Sequence, residues 1–333
     1  MNRKPSTMRA LHASTDATLR EIIAPRPIVT DGHVLVRVKA SGVNPLDLKI
    51  RRQSAPHAKH PLPAILGIDL AGTVEEVASD VHTFKVGDDV FGMTGGVGGL
   101  QGSLAEFAAV DARLLAIKPA SLDMRTAAAL PLAFITAWEG LVDRARLSAR
   151  MRVLVHGGAG GVGHIAVRLA RALGARVFAT GTRAQQSLIE ALGAVAIDYE
   201  SAVVADYVAK HTEGQGFDVV FDTVGGGVLD DSFRSIKRFG HVVSALGWGT
   251  HALAPLSFQG GTYSGVFTLL PLLTGIGREH HGKILREAAL LASAGKVVPI
   301  VDPQQFTLET ADDAHRAVAD GRGRVKVVVD VHT

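Results

Sequence analysis

Residues 153–163 read VLVHGGAGGVG, an apolar run that breaks into a chain of glycines and then continues as the helical stretch GHIAVRLARALG, residues 163–174. Gly158, Gly160 and Gly163 fit the spacing G-x-G-x-x-G, set where a strand ends and a helix begins. Glycines at these positions permit a tight turn, a close approach of backbone to a pyrophosphate, and close packing of helix on strand. The first N–H groups of the helix are left to face the phosphates. The stretch therefore reads as a dinucleotide site made by Gly158, Ala159, Gly160, Gly161, Val162 and Gly163, with a purely structural turn as the alternative.

Outward from this turn, the chain from about Leu130 alternates apolar strands with helical stretches. The strands are RVLVH, ARVFAT, VAIDY, FDVVFDTV, HVVSAL and YSGVFT. The helices between them include AQQSLIEALG, SAVVADYVAKHT and LDDSFRSIKR. Six strands separated by helices predict a doubly wound parallel sheet of the Rossmann kind, class α/β. Before residue 130 the runs are shorter and rich in valine. In HVLVRVKASGV, Val34, Val36 and Val38 share one face while Arg37 and Lys39 share the other, the period of a half-buried strand. This region reads as a small, curled, mostly antiparallel domain, and FGMTGGVGGLQGS, residues 91–103, as a flexible loop over a cleft. After Leu270 an amphipathic helix around GKILREAALLASAG and a last valine strand, GRVKVVVDV, resemble the first region again. The expected division is therefore 1–129 with 270–333 as one domain and 130–269 as the other.

Composition sets the bounds. The 333 residues are 47% hydrophobic and 20% charged, enough to bury a full core in about two domains. No apolar stretch approaches the roughly 18 residues that cross a bilayer, and MNRKPSTMRALHAS has no apolar core of a secretory signal. The expectation is a cytoplasmic protein with no membrane partner, Met1–Thr7 forming a loose tail. Zero cysteines exclude disulfides, thiolate-bound zinc and a cysteine nucleophile. The formal charge of +3 comes without a block of like charges, so nucleic acid is not an expected partner.

The end of the second strand of the sheet selects the nucleotide. A carboxylate there would hold the ribose hydroxyls of NAD and repel a 2′-phosphate. The sequence FATGTRAQQ offers Thr180, Gly181, Thr182 and Arg183 instead, hydroxyls and a guanidinium that suit the 2′-phosphate of NADPH. Arg183 also suits a plain solvated first turn of a helix.

Taken in order, KASGVNPLDLKIR, LPAILGIDLAGTVEEV, FKVGDDVFGM, GSLAEFAAV, AAALPLAFITAWEGL, VLVHGGAGGVG and GFDVVFDTVGG resemble the medium-chain dehydrogenase/reductase superfamily. The likeness is to its zinc-free quinone oxidoreductase and alkenal reductase branch, zeta-crystallin-like, and runs from about Met8 to the end. It implies a catalytic domain built as a small, partly open, antiparallel β-barrel, GroES-like, beside the Rossmann domain, with the active site in a cleft between them. Zinc-dependent members carry a cysteine where this chain has Asn44, and histidine followed by glutamate where it has Ile68 and Asp69. The resemblance therefore implies no metal. Without a Lewis acid, the compatible reaction is reduction of an already electrophilic acceptor, a quinone or the C=C bond of an α,β-unsaturated carbonyl compound.

The resemblance also carries residue roles. Lys49 stands where many quinone oxidoreductases have tyrosine and plant-type alkenal reductases have lysine. It is a candidate for anchoring the nicotinamide ribose or polarising the carbonyl, and also suits a surface position. Asn44 is a candidate for orienting substrate or a water and Asp47 for positioning Lys49, though both are equally common turn residues. Thr136 is expected near the nicotinamide or phosphates, and Tyr199 beside the adenine. Leu246, Gly247, Val266, Phe267 and Thr268 are expected along the nicotinamide half. The branch further implies a homodimer paired through the sheet edge near Tyr263–Thr268. Two alternatives remain open: a one-electron quinone reductase, and a low-turnover NADPH-binding sensor or structural protein.

Overall fold

The computed structural model describes residues 6–321 and 326–332. Most of the expected amino-terminal tail and the start of the last valine strand, Gly323–Val325, lie outside these residues, while Thr7 already begins a strand, Thr7–Ala13. The chain falls into two compact units, one running to Leu132 and resuming at Leu269, the other spanning Ala133–Thr268.

The second unit is a six-stranded sheet in the order Val195–Asp198, Arg176–Gly181, Arg152–His156, Phe217–Asp222, Ile236–Ser244 and Thr262–Gly265. Every pairing in it is parallel. Val153, Leu154 and Val155 are wholly buried, as expected of strands covered on both faces. The helices Gly163–Ala172, Gln186–Ala191, Val204–Thr212 and Gly227–Ser235 connect the strands. Leu154, Phe178, Phe217, Val220, Phe233 and Ile236 form one core cluster. One boundary departs from the sequence reading: Ile236–Arg238, expected at the end of a helix, opens the fifth strand. Ile236 is buried in the core cluster, and the strand's register shifts between Ile236 and His241. Core burial there outweighs local helix preference.

The first unit is built on the long strand His33–Val43, which pairs antiparallel with Asp69–Val77, Phe107–Asp111 and Val327–Asp330. Asp89–Met93 and Leu115–Ile117 extend the sheet on one side, and Phe306–Thr307 on the other. A second sheet joins Leu19–Pro25, Thr7–Ala13 and Ala64–Ile65. Val34, Val36 and Val38 are buried, and Arg37 and Lys39 are partly exposed. The glycine-rich stretch after Phe91 is not a loose surface loop: residues 94–97 and 102–105 are buried. A Cβ at Gly95 would lie 1.8 Å from the Gln101 carbonyl oxygen, and one at Gly102 would lie 2.2 Å from that of Leu66. The glycines there let three backbone segments touch. Pairing of Val327–Asp330 with Ala40–Val43 returns the far end of the chain to the Asn44 turn.

Candidate active site

The glycine turn lies at the carboxyl end of Arg152–His156, beside the point where strand order reverses, the place where nucleotides bind in doubly wound sheets. Gly157 has a φ of +72°, and its carbonyl accepts from Gly160 N–H at 2.9 Å, which closes the turn. A Cβ at Gly163 would meet the Gly157 carbonyl oxygen at 2.0 Å, and one at Gly158 would meet Ala179 Cβ at 2.4 Å. Two of the three motif glycines are thus required by packing, and the helix Gly163–Ala172 begins at the turn with no side-chain cap, its His164 N–H given to the Gly160 carbonyl at 3.0 Å.

Thr180 sits beneath this turn, 3% exposed. Its Oγ1 accepts from Gly157 N–H at 3.1 Å and lies 3.2 Å from His156 Nδ1. Burial drives the His156 imidazole down to about 4, so it is neutral at neutral pH. Of the four residues read as a 2′-phosphate site, Thr180 and Gly181 are buried and Arg183 is exposed, with Thr182 between these extremes. Tyr199, 55% exposed, is held at the adjoining strand end by its N–H to the Gly181 carbonyl at 3.3 Å. The sequence reading missed Glu200. Parallel pairing of Val195–Asp198 with Arg176–Gly181 brings its carboxylate 3.4 Å from the backbone N of Arg183. Across the sheet, Leu246 and Gly247 follow the fifth strand, and Val266, Phe267 and Thr268 follow the sixth. They are drawn together by Val266 N–H to the Ser244 carbonyl at 2.9 Å. A Cβ at Gly247 would lie 2.1 Å from the Tyr263 hydroxyl, so a side chain there would require the tyrosine ring to move. Thr136 is buried on the helix Pro131–Trp138.

The first unit holds a buried polar cluster. Asn44 precedes the helix Pro45–Arg51, and its backbone N–H donates to Asp47 Oδ2 at 2.8 Å. Asn44 Nδ2 donates to Asp69 Oδ2 at 3.0 Å, and Asp69 Oδ1 accepts from Leu132 N–H at 3.0 Å. Lys326, 4% exposed and 282 positions away in sequence, donates from Nζ to Asn44 Oδ1 at 2.5 Å. Burial, with Asp69 close by, pushes the Asp47 carboxyl up to about 7. Burial pushes Asp69 up to about 6 against the pull of Lys326 and the Asn44 amide. Burial also lowers the Lys326 ammonium, opposed by Asp69 and Asp47. Asp47 and Asn44 are thus brought together, whereas Lys49 lies exposed on the same helix. Positions two apart on a helix point to different faces, so buried Asp47 is not beside the Lys49 amine.

Residues 30–120 match an alcohol dehydrogenase GroES-like domain and residues 192–329 a zinc-binding dehydrogenase domain. A 2-methylene-furan-3-one reductase from Solanum lycopersicum is 34% identical over 98% of this chain and 79% of its own length. An NADPH-dependent alkenal/one oxidoreductase from Arabidopsis thaliana is 36% identical over 91% of this chain and 73% of its own. The chain is a medium-chain dehydrogenase/reductase. It belongs to the zinc-free quinone oxidoreductase and alkenal reductase branch of that family. A solved alcohol dehydrogenase superfamily protein from Novosphingobium aromaticivorans is 55% identical to this reductase, covers 98% of it and 100% of itself, and superposes with a TM-score of 0.95.

Zinc, named in one of the matched families, does not fit the polar cluster of this dehydrogenase/reductase. A structural or catalytic zinc needs three or four converging lone pairs. Here Lys326 brings an ammonium, which only donates, onto Asn44 Oδ1, and the Asp69 oxygens are taken by Asn44 and Leu132. Among the described residues no group of three or more His, Cys, Asp or Glu side chains is placed to hold a metal ion. Lys326 was invisible to the motif reading; its one signal was a lysine set in an otherwise apolar run, VKVVV.

Proposed function

We propose that this oxidoreductase uses NADPH to reduce the C=C bond of α,β-unsaturated carbonyl compounds without a metal. The observation that supports it most is the similarity, along nearly the whole chain, to a reductase and an oxidoreductase named for such substrates.

In this reading the Gly158–Gly163 turn holds the pyrophosphate through N–H groups other than those of Gly158 and Gly160, which are given to the Thr180 and Gly157 carbonyls. Thr182 and Arg183 take the 2′-phosphate, and Tyr199 packs beside the adenine. Leu246, Gly247, Val266, Phe267, Thr268 and Thr136 shape the nicotinamide end. The bound nucleotide supplies hydride to the electron-poor β-carbon of the acceptor. The chain's own task is to align the acceptor, exclude competing water and donate hydrogen bonds to the carbonyl oxygen as charge grows on it. Lys49 polarises that oxygen or anchors the ribose, and Asn44 is a second donor. The free edge strand Thr262–Gly265, with Phe239 and Phe258 each 85% exposed nearby, pairs with a second copy in a homodimer.

The test is to mix the protein with NADPH or NADH and a panel of enones and quinones and follow nicotinamide absorbance. Enone-dependent oxidation is expected, with stereospecific deuterium transfer from labelled NADPH to the β-carbon. Semiquinone formation as the main product with quinones would favour one-electron reduction, and no oxidation with any acceptor would leave a nucleotide-binding sensor. Sedimentation of the protein in solution tests the dimer.

A further inference from the structure

Lys326 has no role in the reading above, yet the fold holds it at both its backbone and its side chain. Its backbone N–H donates to the Ile300 carbonyl at 3.1 Å, and its carbonyl accepts from Asp302 N–H at 2.8 Å. Its side chain is buried and ends 2.5 Å from Asn44 Oδ1. Burying an ammonium is costly unless it is paired and hydrogen-bonded, and the two carboxylates Asp47 and Asp69 supply the counter-charge.

The donor and acceptor inventory shows what this arrangement fixes. A side-chain amide turns about a broad, nearly two-fold torsion, so its oxygen and nitrogen can exchange places. An ammonium has donors only and an ionised carboxylate has acceptors only. With Lys326 on one side of Asn44 and Asp69 on the other, a single orientation satisfies all three: oxygen toward Lys326, nitrogen toward Asp69. The amide nitrogen carries two hydrogens and Asp69 takes one, so the direction of the second N–H is fixed before any ligand arrives.

We propose that Lys326 is a positioning residue: together with Asp69 it locks the Asn44 amide so that its second N–H is a preorganised donor for the carbonyl oxygen of the acceptor. This rests on the enone reading. In the reaction, hydride from NADPH forms the new C–H bond at the β-carbon and the C=C pair moves to make an enolate. The nucleotide leaves oxidised as NADP⁺, and a proton from water completes the α-carbon. Asn44 transfers no proton; its hydrogen bond strengthens as negative charge gathers on oxygen.

The lock is tested by steady-state kinetics, NADPH binding and thermal melting on wild type, Lys326→Met, Lys326→Arg and the charge-compensated pair Lys326→Met/Asp69→Asn. Removing one partner of a buried charged group destabilises the fold, whereas removing the charge from both sides is far milder. The paired variant therefore keeps the chain folded while freeing the amide. The expected result is a paired variant that melts near wild type and binds NADPH as wild type does. Its kcat with an enone falls at least tenfold with little change in KM. Lys326→Arg recovers part of the loss, and adding Asn44→Ala to the paired variant lowers kcat no further. A paired variant with wild-type kcat, or an Asn44→Ala loss that multiplies with it, overturns the lock. A wild type that oxidises NADPH with no enone overturns the functional reading and the lock together, so the wild-type assay separates the two failures.

Discussion

The Gly157–Gly163 turn and the Asn44 cluster differ in how far apart in the chain their parts lie. Thr180, which supports the turn from below, is 23 residues from Gly157, and the motif itself is contiguous. Lys326 and Asn44 are 282 residues apart and meet only because Val327–Asp330 pairs antiparallel with Ala40–Val43. In the proposed reading the turn binds through backbone N–H groups, which every residue type but proline possesses, so its specification reduces to where side chains are forbidden. The cluster works through side-chain ends, whose partners depend on strand register. A local feature of the first kind is written as a motif; one of the second kind has no signature along the chain.

The comparison is broken most sharply at the turn. Gly163→Val drives a side chain into the Gly157 carbonyl, and the expected loss of NADPH affinity is about a hundredfold, or roughly 2.8 kcal/mol. Because the damage is local to the second unit, proteolysis should show the first unit still folded; loss of both would mean the turn supports the whole chain.

A second test probes the burial that pairing creates. His315, on the helix Ala311–Ala319 of the first unit, is buried, which drives its imidazole down to about 4. Its folded value lies below the unfolded one, so the unfolded chain binds more protons between about pH 6.5 and 4, and stability falls as pH falls through that window. The raised Asp47 and Asp69 carboxyls act in the opposite sense, contributing stability that is lost as pH rises from about 4 toward 7, and together they outweigh the slope from His315 alone in the wild type. The readout is therefore the difference between wild type and His315→Gln in urea unfolding. Moving from pH 6.5 to 4, the variant should gain on wild type by roughly 2 kcal/mol. An unchanged difference would mean His315 protonates freely.

Activity sharpens the contrast at about tenfold. Lys49→Ala should lower kcat/KM with an enone tenfold, on the order of 1.4 kcal/mol of transition-state stabilisation, with the melting temperature unchanged because the residue is exposed. Unaltered kinetics would leave it a surface lysine. Arg183→Glu should shift the NADPH to NADH preference by a similar factor, and an unaltered ratio would remove Arg183 from the 2′-phosphate site. The smallest effect is expected at Glu200, whose carboxylate competes for the Arg183 backbone N. Glu200→Gln should raise NADPH preference by about twofold to threefold, within the range of exposed charge pairs. A fall would mean Glu200 orders the loop rather than opposing the phosphate.

The parallel sheet was legible because its strands carry short apolar runs, such as Val153, Leu154 and Val155, and are separated by amphipathic helices, a pattern set by covering both faces. The turn was legible because packing forbids side chains at Gly158 and Gly163. The boundary at Ile236 was misread because helix preference is local, while the side chain is held by Phe217 and Phe233, residues of other elements. The glycines after Phe91 were misread as a loose loop because glycine serves both mobile turns and backbones pressed together, and only the neighbours decide which.

By itself, then, the sequence determined the glycine turn and the alternation of strands and helices around it, since backbone geometry and burial periodicity are properties of a short stretch. The tertiary structure alone decided that Lys326 faces Asn44, that Thr180 turns inward and that Glu200 reaches Arg183. Each of these depends on which strands pair and in what register, and the free energy that sets register is spread over the whole buried face.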